Sequence, residues 1–216
     1  MKIVIIGAGT GLSRSVAKRF GREGFSVSLV ARSEEKLKQE VKLLQEQNIP
    51  ADYIVADVGN ESALLKVLEP LKRKGAHPDV ILFNVFVNAA GGFEEEDWAH
   101  LKVEMDVNVG AAFNILKEML PVYVEAGKGC LFFTGGGFGI TPAPDYLGVS
   151  MGKAALRNLV QAAAQQVKDA GVHVATLTVM GFIGGEDPRY APDRIAEEYW
   201  RLSTQQAGEF ETELIY

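Results

Sequence analysis

A chain of 216 residues can bury one sizeable core, and a hydrophobic share of 47% argues against disorder. The net charge of -6, with no basic run, speaks against nucleic acid or an anionic membrane surface as partner. The single cysteine, Cys130, excludes an internal disulfide and fits a reducing, cytoplasmic setting. The apolar start at Ile3 stops at Gly7, too short for a signal segment or a membrane span. His77, His100 and His173 are scattered and read as surface or loop histidines, so no metal is expected.

In chain order, short β-branched runs alternate with longer amphipathic ones. Strands are predicted over 3–6, 26–30, 52–55, 80–83, 130–133, 173–178 and 210–215. Most are continuously apolar, as strands buried on both faces are. Helices are predicted over 12–21, 34–47, 61–74, 101–124, 149–170 and 193–203. This alternation implies an α/β fold: a doubly wound parallel sheet of about seven strands, helices on both faces and right-handed crossovers. No linker divides the chain, so residues 1–216 are expected to form one domain.

The first strand runs into Gly7-Ala8-Gly9-Thr10-Gly11-Leu12-Ser13. A glycine-rich turn between a strand and a helix lets backbone approach a pyrophosphate, and the helix N-terminus adds free N–H groups and a positive dipole end. At the first strand-to-helix junction this is a dinucleotide-binding signal. The second strand ends at Ala31-Arg32-Ser33, where an NAD-selective site would carry a carboxylate for the ribose 2′-hydroxyl. A guanidinium and a hydroxyl suit a 2′-phosphate instead. NADP(H) is therefore favoured over NAD(H), although Arg32 also reads as a solvated loop residue.

The spacing Gly7-x3-Gly11-x-Ser13 resembles the glycine motif of the short-chain dehydrogenase/reductase family, with serine for the last glycine. The likeness continues to the last strand and implies a Rossmann-type fold. Serine is small, so a slightly wider helix–strand contact with binding retained is expected. By the same resemblance Asp57 and Val58 hold the adenine, and Asn84, Gly181 and Ile183 line the cofactor. Asp57 also reads as a cap for the helix beginning near Asn60. A second asparagine, in Asn88-Ala89-Ala90-Gly91, copies the family's motif more literally but lies too far along for the end of the fourth strand.

The family's catalytic asparagine matches Asn108, and its lysine, which binds the nicotinamide ribose and lowers a tyrosine pKa, matches Lys153. The tyrosine four residues before that lysine is replaced by Val149, and the serine position falls on Gly136, leaving Thr134 as the nearby hydroxyl. Losing a positioned acid costs about 10²–10⁴ in rate. Tyr146 lies seven residues before Lys153 and would share its face if the helix reached back that far. That Tyr-x6-Lys spacing is similar to the divergent enoyl-acyl-carrier-protein reductase branch. Tyr146 also reads as a packing residue in the turn around Pro142 and Pro144. The substrate loop after Met180-Gly181 is short for a deep lid.

Three readings stand. One is an NADP(H)-dependent oxidoreductase acting on a small carbonyl or activated alkene, with Asn108, Tyr146 and Lys153 as its catalytic residues. Another is a non-catalytic NADP(H)-binding sensor or partner-binding protein. The third is an enoyl-reductase-like enzyme. The resemblance further implies a homodimer or homotetramer joined through the long helices.

Overall fold

The computed structural model describes residues 1–87 and 90–216, so Asn88 and Ala89 of the second asparagine motif lie outside the described residues. Seven parallel strands form one sheet: β1 (Lys2–Ile6), β2 (Ser26–Ala31), β3 (Ala51–Val55), β4 (Val80–Phe83), β5 (Gly129–Gly136), β6 (Val172–Val179) and β7 (Glu213–Ile215). Their order, β3-β2-β1-β4-β5-β6-β7, is the expected doubly wound, Rossmann-type arrangement. Helices α1 (Leu12–Arg22), α2 (Glu34–Gln45), α3 (Glu61–Leu68), α4 (Trp98–Met105), α5 (Ala111–Ala126), α6 (Leu147–Gln166) and α7 (Pro192–Ser203) flank it.

Strand alternation divides the core in two. Val4, Ile6, Ile81, Phe83, Leu131 and Phe133 meet α3, α5 and α6 on one face. Ile3, Ile5, Val80, Leu82 and Phe132 meet α1, α2 and α7 on the other. Full burial of each such side chain contributes about 1.5–3 kcal/mol. Phe20, Phe25 and Trp200 lock α1 to α7 edge to face, with centroids 5.2 to 6.1 Å apart. Tyr199 is fully buried, and the partly buried Trp200 packs against the same core. Arg14 and buried Glu40 join α1 to α2 through two hydrogen bonds.

Several boundaries depart from the sequence reading. The helix expected over 61–74 ends at Leu68 and tightens into a 3₁₀ turn, Glu69–Lys72, where Pro70 has no N–H to continue it. The helix expected over 101–124 is two helices joined by a π-helical turn, Asp106–Gly110. The last strand is only Glu213–Ile215. His173, expected at the surface or in a loop, sits in β6 at 1% exposure, its Nε2–H donating to the Glu211 carbonyl. Cys130 is the second residue of β5, and burial pushes its thiol up to about 12, consistent with a packing role. Among the described residues no helix is long and apolar enough to cross a membrane.

Candidate active site

Strand order reverses direction at β1, between β2 on one side and β4 on the other. In open α/β sheets the crevice at that switch point, outside the carboxyl ends of the strands, is where ligands bind. Gly7 leaves β1 there with φ +94°, and a Cβ on it would lie 2.5 Å from the Asn84 carbonyl. Only glycine fits both the backbone angle and the space. Among the described residues nothing lies within 4 Å of the Cβ positions of Gly9 and Gly11, so the turn is open. Gly11 is the N-cap of α1 and brings no side-chain acceptor, which leaves the first N–H groups free for an anion. Thr10 is exposed beside it, while Leu12 is buried and anchors the helix start.

Ser13 does more than stand in for a glycine. It is 2% exposed, its hydroxyl donates to the Gly7 carbonyl at 2.8 Å, and Asn84 Nδ2 donates to that hydroxyl at 2.8 Å. The glycine turn is thereby tied to the end of β4, a linkage that spacing alone did not reveal. Instead of a merely wider contact, serine supplies a polar bridge.

Arg32 follows β2 and is exposed. Ser33 caps α2, its hydroxyl accepting from Lys36 N at 3.4 Å and keeping its own proton to donate. Asp57 is exposed after β3, and one carboxylate oxygen accepts from Gly59 N at 3.1 Å. The cap of α3 is Asn60 rather than Asp57. Val58 is 8% exposed and joins the core beneath Asp57.

Asn108 lies in the π-helical turn at 2% exposure. Its Oδ1 accepts from Val87 N at 2.8 Å, and its Nδ2 finds no acceptor among the described residues. Gly152 of α6 sits against it, so close that a Cβ there would stand 2.9 Å from Asn108 Cβ. Such π-turns recur at functional sites because one extra residue re-aims a side chain.

Lys153, on α6, is 8% exposed. Its Nζ donates to the Thr134 carbonyl at 2.7 Å and lies 5.3 Å from the centre of the Phe86 ring. Burial lowers its pKa to about 8. Phe86, two residues after Asn84, is half exposed and covers the ammonium. Thr134, the one hydroxyl expected near the missing serine, shares a 2.7 Å hydrogen bond with Tyr199 in the core. It is therefore turned away from Lys153.

Tyr146 is the N-cap of α6, with φ -138° and ψ 54°, so the helix does not extend back through it. Its ring stacks on Phe138 at 5.6 Å and 25°, and backbone bonds to Gly91 hold it from both sides. The expected shared helical face with Lys153 is thus not formed, and Tyr146 instead packs beside a proline-bearing turn. Val149 is 4% exposed and inside α6.

The segment after β6 is short, as expected. Gly181 lies under the Tyr190 ring and Ile183 is partly exposed. Tyr216 closes the segment's base, its N–H and O–H donating to Thr178 O and Arg189 O at 2.9 and 2.8 Å. An open cavity of about 450 Å³ is lined by Gly181, Phe182, Gly185, Glu186, Asp187 and Tyr190.

Residues 1–183 match the family model described as short chain dehydrogenase. The chain belongs to the short-chain dehydrogenase family. An uncharacterized oxidoreductase of Staphylococcus epidermidis is 25% identical over 183 residues, covering 81% of this chain and 75% of that one. A short-chain dehydrogenase from Rhodopseudomonas palustris superposes with a TM-score of 0.87 at 25% identity, covering 100% of this chain and 97% of the other. A metagenomic short-chain oxidoreductase in complex with NADP shares the fold at a TM-score of 0.89 and 22% identity, over 100% of this chain and 96% of that one. Short-chain dehydrogenases are oxidoreductases that use NAD(H) or NADP(H), and this chain is of that type.

Proposed function

We propose that this short-chain dehydrogenase binds NADP(H) in the crevice at β1 and β4 and reduces a small carbonyl or activated alkene. The carrying observation is Lys153: a buried amine on α6, held among the described residues by a backbone carbonyl and an aromatic face, in a chain whose first glycine turn is open. The residues present fit the cofactor. Gly7, Gly9, Thr10, Gly11 and Leu12 form a turn with room for a pyrophosphate, and Arg32 and Ser33 offer donors for a 2′-phosphate. Asp57 and Val58 border the adenine position, Asn84 the ribose side, and Gly181 and Ile183 the nicotinamide side. Bound there, the cofactor supplies a hydride.

Lys153 holds the nicotinamide ribose through its ammonium. Asn108, with an unsatisfied Nδ2, orients a water in the proton path. The proton comes from that water or from Tyr146, which stacks on Phe138 and caps the start of α6. The whole chain acts as one cofactor-binding domain in the cytoplasm. Exposed Val103, Phe113 and Val124 on α4 and α5 supply the apolar surface through which it forms a homodimer or homotetramer.

A non-catalytic, NADP(H)-binding sensor is the second reading, favoured by Gly136 and Val149, which offer no hydroxyl above Lys153. Fluorescence titration with NADPH, followed by its oxidation with a panel of small carbonyls and enones, separates the two. Binding without turnover across the panel selects the sensor. Turnover that Tyr146→Phe leaves unchanged assigns the proton to water, and turnover lost in that variant assigns it to Tyr146. Failure to bind NADPH removes every reading.

A further inference from the structure

Behind the first turn of α6 lies a group of side chains that the nucleotide crevice does not use. Glu96 precedes Asp97, the cap of α4, and His100 and Glu104 follow at helical spacing. One donor atom from each of Glu96, His100 and Glu104 lies within 4.8 Å of the others. Glu96 Oε2 is 2.6 Å from His100 Nδ1, and the Glu96 side chain is 3% exposed against Gly91.

Glu104 is the decisive member. It is 1% exposed, its carboxylate lies directly on Gly148 of α6, and neither oxygen meets a hydrogen-bond donor among the described residues. Buried carboxylates are ordinarily paired, hydrogen-bonded or bound to metal. Placed beside a second shielded carboxylate and an imidazole, the unpartnered oxygens of Glu104 call for a cation in their midst.

We propose that Glu96, His100 and Glu104 bind one divalent transition-metal ion of the zinc or manganese class. One imidazole with two carboxylates suits such ions, whereas magnesium and calcium favour all-oxygen sets with several waters. Bonds of about 2.1 Å span donors up to about 4 Å apart, so modest rotation of the three side chains closes the site. His100 is half exposed at side-chain level and gives the ion a path from solvent. The bound ion joins α4 to the start of α6 and to Gly91, whose backbone pairs on both sides of Tyr146. It is a clamp on the mouth of the active site, distinct from the nucleotide crevice.

The test is isothermal titration of tag-free, EDTA-stripped protein with ZnCl2, MnCl2 and MgCl2, with melting temperature as a second readout. Zinc or manganese should bind once per chain and raise the melting temperature, with magnesium weaker. His100→Ala and Glu104→Gln should each weaken binding at least about tenfold, or about 1.4 kcal/mol. Glu104→Gln keeps the shape of the buried side chain, and its melt without metal establishes that it folds. Absence of saturable binding into the millimolar range overturns the site. So does zinc affinity unchanged in both variants, or magnesium binding as tightly as zinc. None of these readouts depends on NADPH or turnover.

Discussion

Gly136 faces the stem of Lys153: a Cβ placed on it would lie 3.7 Å from both Cγ and Cε of the lysine, an ordinary contact distance. A serine therefore fits where the family carries one. Restoring both hydroxyls with Gly136→Ser and Val149→Tyr should raise NADPH-dependent carbonyl reduction by about 10²–10⁴, the worth of a positioned acid. Steady-state rates on a reactive small carbonyl check this. A folded double variant with no gain would show that the missing hydroxyls do not limit the chemistry.

Cofactor choice is predicted to rest on Arg32. Charge-assisted hydrogen bonds contribute about 1.5–3 kcal/mol. Arg32→Asp should thus weaken NADPH about ten- to hundredfold and leave NADH nearly unaffected. Parallel fluorescence titrations measure both, and equal loss for the two cofactors would place Arg32 outside the 2′-phosphate site.

Lys153 gives the cofactor-free protein a distinct pH response. Its folded pKa, lowered to about 8 by burial, lies below the unfolded value of about 10.4. Between those limits the unfolded chain binds more protons, so this residue's contribution to stability rises with pH from about 8 to about 10.4 and is flat below. Lys153→Met should remove that slope, as urea melts across the range would record. A slope identical in both proteins assigns it to other groups.

The glycine turn separates folding from binding. Gly7→Ala forces a left-handed φ on a residue with a Cβ and a clash with Asn84 O. The backbone alone costs about 1–2 kcal/mol, which corresponds to a fall in Tm of about 2–8 °C. Gly9→Ala meets no atom of the described residues within 4 Å and should keep its Tm while weakening NADPH. Thermal melts and titrations of the two variants distinguish these outcomes.

The sheet was readable because buried parallel strands such as Val80–Phe83 are continuously apolar, and the crevice because Gly7 falls where a strand turns into a helix. Contacts across the chain were not. Ser13 meets Asn84 at 71 residues' separation, and Thr134 is claimed by Tyr199, 65 residues on. Spacing placed Tyr146 on the Lys153 face only by assuming an unbroken helix, and backbone pairing to Gly91 ends that helix one residue too soon. The cluster at His100 escaped because its partners are carboxylates, common on any solvated helix, and only burial distinguishes Glu104 from them.

The π-helical turn at Asp106–Gly110 acts as a phase shifter. One added residue rotates everything after it by about 100° relative to an uninterrupted helix. The stripe of α4 that sends Glu104 toward Gly148 and the stripe of α5 that sends Ile115, Met119 and Tyr123 into the core can then be set independently along one rod. Asn108 stands where the phase changes. Deleting Val109 would bring the two stripes back into a common register, and only one of them could then face its partner.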